Sequence, residues 1–345
     1  MQELTLGLRL GSGLERPEQQ WRELDHWVLN LQANQVFGNP YLADAIGSVF
    51  PLQSDAVQTG TYLTALNLER RAPLGGVGWK LGVMSLDPEV MSIPAYNFYV
   101  HSAFNDSYNI TIPGYTFSPY ANLGVLLTYR PDPASKLRYG LYAINSFEQL
   151  DGYGRLPATG QLNIQGDLQV LQYERRWDVA DPRLARLRQD SVLPAGMVQI
   201  GAFRSSSQAQ GTSQWGIQLG TSLGSYASLT LPLDLPWGLA NRIWAAVSVG
   251  WDQQTNPVPL YGQLGWLCQG PLPGRPQDVL VVGYGRSTFS QTLPLLEEAV
   301  LELSYQVRLG PQLVLQPVLQ WVFDPGGQGV LPTALNAGAQ IQFQF

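Results

Sequence analysis

The sequence predicts an all-β protein: a transmembrane antiparallel β-barrel of about sixteen strands, with long extracellular loops folding into its lumen. Three observations carry this prediction. Apolar and polar residues alternate along most of the chain, the period at which successive side chains of a strand take opposite faces. Charged residues make up only 13% while the hydrophobic share is an ordinary 45%, so uncharged polar groups stand where Lys and Glu dominate a soluble surface. Turn clusters such as "YRPDPASK", "LPWGLAN", "GPLPGRPQD" and "DPGGQG" divide the chain into segments of roughly ten residues, the length of a tilted membrane strand.

Taken in order, "QELTLGLRL" alternates directly after Met1. No leader is read ahead of it, and an exported chain is then expected in mature or recombinant form. "HWVLNLQAN" sets Trp27, Leu29, Leu31 and Ala33 against His26, Asn30, Gln32 and Asn34. "GWKLGVM" opposes Trp79, Leu81 and Val83 to Lys80, and "ANLGVLLTYR" aligns Leu123, Val125, Leu127 and Tyr129. "RIWAAVSVGWD" aligns Ile243, Ala245, Val247, Val249 and Trp251. "EAVLELSYQVRLG" puts Ala299, Leu301, Leu303, Tyr305 and Val307 opposite Glu298, Glu302, Ser304, Gln306 and Arg308. In "LVLQPVLQWVF", Pro317 predicts a bulge or locally weakened pairing, because proline cannot donate to a ladder. The closing "NAGAQIQFQF" alternates Gln with Ala, Ile and Phe up to Phe345, as expected of a wall between lipid and water with an aromatic girdle at its edge. "DPRLARLRQD", Asp181 to Asp190, reads as one short helix or a solvated loop. The whole chain, 1–345, reads as a single barrel domain.

The longest irregular stretch runs from Asp87 to Pro119 and is rich in Tyr, Phe, Asn, Ser and Pro. A loop of that length usually has work to do. The expectation is that it folds into the lumen and narrows it, through Asn97, Tyr99, His101, Phe104, Asn105 and Tyr108. By parity or position, the residues expected to line the pore are Asn30, Gln32, Asn34, Lys80, Arg130, Arg138, Arg175, Arg204, Glu302 and Arg308. A charge facing mid-bilayer lipid costs roughly 2–4 kcal/mol for Arg or Lys, so those within strands should turn inward or sit at a rim. Amide, hydroxyl and guanidinium groups can replace the water a sugar sheds, and spread weak contacts permit flow.

Several chemistries are disfavoured. The net charge of −6 gives no stripe for nucleic acid. No apolar run approaches the ~20 residues of a membrane helix. Two histidines and the lone Cys268 supply neither a disulfide nor a metal cluster, and no cofactor is called for. "GTSLG" at Gly220 to Gly224 fits the nucleophile-elbow pattern, but both flanks read as strand rather than strand-to-helix.

With the barrel argued, three stretches resemble the carbohydrate-selective porin family of Gram-negative outer membranes, the OprB type. The most specific is "NPVPLYGQLGWLCQGPLPGRPQDVLVVGYGRSTFS", with Asn256, then Gly274, Arg275, Pro276 and Asp278 in the turn between two strands. "ELSYQVRLGPQLVLQPVLQWVFDPGG" is similar to the family's penultimate hairpin, with Asp324 where Asn is usual. "SAFNDSYNI" and "PYANLGVLLTYRP" resemble its long third-loop region, although "VHSAF" departs from Asn-Ser-Ser-Phe. The resemblance implies a bacterial outer-membrane barrel passing sugars by diffusion, with no enzyme activity. Its implied partners are carbohydrate solutes, outer-membrane lipids and lipopolysaccharide. A monomer or homotrimer is left open. A barrel enzyme of lipase or protease type, a general non-specific porin and a soluble β-rich binding protein are the alternatives.

Overall fold

The computed structural model describes residues 2–10, 27–37, 46–53, 59–87, 89–105, 121–145, 164–177, 192–207, 220–234 and 239–343. Among the described residues, fifteen strands form one sheet, and each is antiparallel to the next in the sequence. The first five are β1 (Gln2–Leu10), β2 (Trp27–Phe37), β3 (Gly60–Arg70), β4 (Val77–Met84) and β5 (Asn122–Asp132). Next come β6 (Ser135–Asn145), β7 (Ile164–Trp177), β8 (Gly196–Ser207), β9 (Thr221–Asp234) and β10 (Ala240–Gly250). The last are β11 (Leu260–Gln269), β12 (Val279–Thr288), β13 (Glu297–Arg308), β14 (Leu313–Phe323) and β15 (Ala334–Phe343). Fifteen are thus described where the sequence predicts about sixteen, and among the described residues β1 and β15 are the ends of the sheet. The segment Asp181 to Asp190 lies outside the described residues.

Alternation decides the faces. On β10, Trp244, Ala246 and Ser248 are buried while Ile243, Val247 and Val249 are exposed. On β11, Tyr261, Gln263 and Leu267 are buried while Leu260 and Leu264 are exposed. The exposed parity is the large apolar one, reaching 56% exposure at Leu264 and 69% at Ile341. Aromatic residues border this outer belt at both ends. Trp27 and Trp79 flank Arg70 in the ladder and meet edge to face, centroids 5.2 Å apart. Phe37, Trp251 and Phe323 are exposed at the opposite end.

The sheet is curled. A flat one would set β4 and β14 roughly 48 Å apart at ~4.8 Å per strand. Glu89 nevertheless pairs with Lys80 on β4, while the Phe98 carbonyl accepts Gln316 Nε2 of β14 at 2.7 Å. The path from Glu89 to Phe98 includes a 3-10 turn at Pro94–Phe98 and spans roughly 25 Å. The wall must therefore bend around it.

Pro317 interrupts less than expected. It faces outward and stays opposite Ala339 in an unbroken β14–β15 register. On the other side, the β13–β14 ladder keeps its register but skips Tyr305 and Gln306, the locally weakened pairing that proline predicts. Inside, Gln306 Nε2 donates to Gln316 Oε1 at 3.0 Å. A bulge is instead found between β2 and β3, at Gln32/Ala33, where the Thr64 hydroxyl donates to the Gln32 carbonyl at 3.1 Å.

Candidate functional site

The inner face is occupied by residues 86–87 and 89–105, the described segment of the loop after β4. Its apolar side chains are nearly all buried: Leu86, Val90, Ile93, Tyr96, Tyr99 and Phe104. Pro94–Phe98 forms the 3-10 turn and Ser102–Asn105 a single α-helical turn. Local sequence favours this compactness: Pro94 presets the first position of its turn. The second turn is capped by His101, whose carbonyl accepts Phe104 N at 2.9 Å and Asn105 N at 3.1 Å. Its Nδ1 accepts Ala103 N at 3.0 Å.

The wall holds the segment through polar side chains that alternation turns inward. Gln172 of β7 accepts Met91 N at 2.8 Å, and Gln199 of β8 donates to the Ser92 carbonyl at 2.9 Å. Tyr96 donates to Gln263 of β11 at 3.0 Å, and Trp244 Nε1 of β10 donates to the Tyr99 hydroxyl at 2.9 Å. Glu302 of β13 accepts Val100 N at 3.0 Å and His101 N at 2.7 Å. Four residues earlier on the same face, Glu298 accepts the Ser48 hydroxyl at 2.8 Å, Val49 N at 3.0 Å and Gly326 N at 2.7 Å. Charge-assisted bonds to a carboxylate are each worth about 1.5–3 kcal/mol, so β13 provides two strong anchors for inserted chain.

Glycines on the inner face make room for the aromatic side. A Cβ at Gly283 would lie 2.5 Å from the Tyr99 ring, and one at Gly285 would lie 3.2 Å from Phe104. One at Gly265 would run into Tyr99 and Trp244. The stripe Gly265, Gly283, Gly285 is a groove shaped to these rings, which meet tilted with centroids 5.0 Å apart (Tyr99–Phe104) and edge to face at 5.4 Å (Tyr99–Trp244).

The predicted loop residues divide as follows. Tyr99, His101 and Phe104 are buried, Asn105 is half-buried and Asn97 is exposed. Tyr108 lies outside the described residues. Asn105 Nδ2 donates to the Tyr99 carbonyl at 3.0 Å, so it braces the segment from within.

Among the predicted lining residues, Asn30, Gln32 and Asn34 share the inner parity of β2. Asn30 donates to Asn67 Oδ1 at 2.8 Å, and Asn34 is buried at 1% exposure. Lys80 is inside, paired with Glu69 at 3.4 Å and with Glu89. Arg138 is inside and donates to Glu174 at 2.9 Å. Arg130 and Arg308 follow the inner parity near the short-turn end. Arg175 and Arg204 are corrected: both stand on the outer face. Arg175 follows Glu174, which is buried at 2%, and Arg204 follows Phe203, buried at 3%. Arg204 pairs with Asp167 at 2.9 Å, its side chain 42% exposed. Both lie near strand ends, where the cost of an outward Arg or Lys falls to about 0–1 kcal/mol.

The turn motif has a structural use. Arg275 Nε and Nη2 donate to Asp278 Oδ2 and Oδ1 at 2.7 and 3.1 Å. Asp278 Oδ1 also accepts Arg308 N at 3.0 Å, and Gln269 Nε2 donates to the Pro276 carbonyl at 2.9 Å. Gly274 has φ +77°, open to glycine. Burial pushes the Asp278 carboxyl up, but the Arg275 guanidinium and the Arg308 amide outweigh it and hold it below the usual carboxylate range. Asn256 closes the β10–β11 loop: its Oδ1 accepts Val258 N at 3.0 Å and its Nδ2 donates to Ser222 at 3.3 Å. Ser222 is fully buried within β9, so the elbow pattern is a strand residue here. His26 lies outside the described residues. Among the described residues, no group of His, Cys, Asp and Glu could hold a metal.

Sequence reasoning passed over Trp244, Tyr96, Gln172, Gln199 and the glycine stripe. The Gly-x-Gly at Gly283 and Gly285, on the inner parity of a strand, was the available signal, because inward glycine marks a close approach.

The family described as carbohydrate-selective porin, OprB family, matches residues 19–345. Porin B of Pseudomonas aeruginosa is 31% identical over 117 residues, a match covering 27% of this chain and 26% of that protein. The aligned part thus spans about a quarter of that relative's length. The high-pH structure of Pseudomonas putida OprB superposes with a TM-score of 0.75 at 17% identity, covering 92% of this chain and 83% of that one. The low-pH structure of the same protein gives 0.57 at 14% identity, covering 99% and 84%. These structural likenesses carry the fold. With the family matched over nearly its whole length, the chain belongs to the carbohydrate-selective porin, OprB family.

Proposed function

We propose that the chain, as a single barrel domain, is an outer-membrane diffusion channel that passes carbohydrates without enzymatic chemistry. The observation that carries this reading is the pairing of an apolar outer belt with an inner wall whose inward polar side chains grip an inserted segment. Lipid outside and water inside account for both faces. Residues 86–105 narrow the lumen, and the remaining width is bordered by Asn30, Gln32, Lys80, Arg130, Arg138 and Arg308. Glu302 serves differently from the solute contact its parity suggests: its oxygens are occupied by Val100 and His101, so it fixes the constriction. The end at which β2 passes to β3 and β4 to β5, where the chain between strands is longest, faces outside the cell, and the other end faces the periplasm. Outer-membrane lipid and lipopolysaccharide surround the belt, and the assembly is a monomer or a homotrimer.

The test is reconstitution. Purified protein should give stable single-channel steps in planar bilayers, and liposomes carrying it should swell in glucose and related sugars. Deleting 89–105 should raise conductance and let larger oligosaccharides through. Silent bilayers with no sugar uptake overturn the channel. Uptake that follows solute size alone makes it a general porin.

A further inference from the structure

A second group of charges lies on the inner face of β5–β7, toward the short turns. Arg130 is near the end of β5, Lys136 and Arg138 begin β6, and Arg176 is near the end of β7. Glu174 is the carboxylate among them. It accepts Arg138 Nη1 at 2.9 Å, Arg176 Nε at 2.9 Å and Gln199 Nε2 at 3.3 Å. Lys136, directly opposite Glu174 in the ladder, stands in the field of Arg130, Arg138 and Arg176 as well as Glu174. Among the described residues, four cations share one carboxylate whose two oxygens are already taken. Lys136 has no ion pair within this set, and Arg130 Nε is buried with no acceptor. In a chain of net charge −6, this recess is locally the opposite sign.

Like charges held together repel unless an anion shares their field. The cluster meets water at its Arg176 edge, that side chain being 38% exposed while Arg138 and Glu174 are buried, so a solute can reach and leave it from that side. Guanidinium forks match the paired oxygens of a carboxylate or phosphate, and ammonium adds a point charge. We propose that this recess is an anion subsite that takes the oxyanion of an acidic sugar, whether the carboxylate of a hexuronate or the phosphate of a sugar ester. The inference rests on the channel reading above and extends its solutes from neutral to acidic sugars.

The test uses the full chain in planar bilayers. Under a KCl gradient the reversal potential should report anion preference. Glucuronate and glucose 6-phosphate should each reduce chloride current at lower concentration than glucose, and the stronger of the two identifies the favoured oxyanion. Lys136→Gln should move the reversal potential toward zero and raise the half-blocking glucuronate concentration about three- to tenfold, the worth of one nearby charge at intermediate dielectric. Glucose-driven swelling should be unchanged, and Lys136→Arg should restore the preference. A channel that passes glucose but shows no anion preference, or a Lys136→Gln variant that behaves as wild type, overturns the anion subsite alone. A chain that forms no channel overturns both readings.

Discussion

Single residues on the inner wall are asked to do what water would otherwise do. Glu302 has no basic partner among the described residues; its charge is met by backbone N–H groups, Gln320 Nε2 at 3.2 Å and Ser304 Oγ at 3.4 Å. That arrangement converts a strand residue into a clamp for the loop. Beside it, His101 is fully buried, its Nδ1 committed to Ala103 N and its Nε2 without a partner. Burial lowers its pKa from 6.5 to about 3. The unfolded chain therefore binds the proton first as pH falls. The contribution of neutral His101 is whole above about pH 6.5 and is lost progressively toward about pH 3, by up to about 1.4 kcal/mol per unit. Thermal unfolding in detergent should show this slope, and His101→Gln should flatten it. An unchanged slope in that variant would place the titration elsewhere. The burial of His101 could not be read from the sequence, because one histidine in a polar loop has no period to betray its environment.

At the scale of elements, the inserted segment and the turn motif respond to different changes. The segment docks on glycines, so Gly283→Val should push Tyr99 off the wall. The expected readout is a higher single-channel conductance with the strands intact by circular dichroism; unchanged conductance would mean that the segment does not limit flow. Arg275 and Asp278 brace the β11–β12 turn and the start of the β13–β14 turn. Arg275→Ala should lower the thermal midpoint and leave sugar uptake as it is, whereas a loss of uptake in a well-folded variant would make the turn part of the solute path. Asp324 shows why its hairpin tolerates a change from the usual Asn: its φ is 49°, a left-handed position that Asn and Asp occupy more readily than other side chains. Its Oδ1 then accepts Gly329 N at 2.6 Å.

Across the whole molecule, two solvents govern which substitutions are tolerated. Leu264 lies midway along β11 on the outer belt. Leu264→Arg should cost about 2–4 kcal/mol on folding into vesicles, while Tyr129→Arg near the rim should cost about 0–1 kcal/mol. Equal costs at both positions, read from denaturant titrations, would mean that this face does not meet hydrocarbon. The same depth dependence explains the outward Arg204 and Arg286. Arg286 pairs with Glu297 near the ends of β12 and β13, away from the middle of the belt.

The sequence by itself determined the strand class, the two faces and the membership of each alternating residue, because a period of two is a local property of an extended chain. It also turned Glu298 and Glu302 to the inner face. Arg175 and Arg204 were misplaced, since a charge near a strand end satisfies either solvent and only the register with Glu174 and Phe203 decides its side. Tertiary structure alone decided what the inner residues touch: curling brings β4, β7, β8 and β10–β14 to one short segment. Pairings such as Glu302 with His101 and Trp244 with Tyr99 join residues far apart in the chain, and no local pattern encodes a contact made by curling a sheet around an inserted segment.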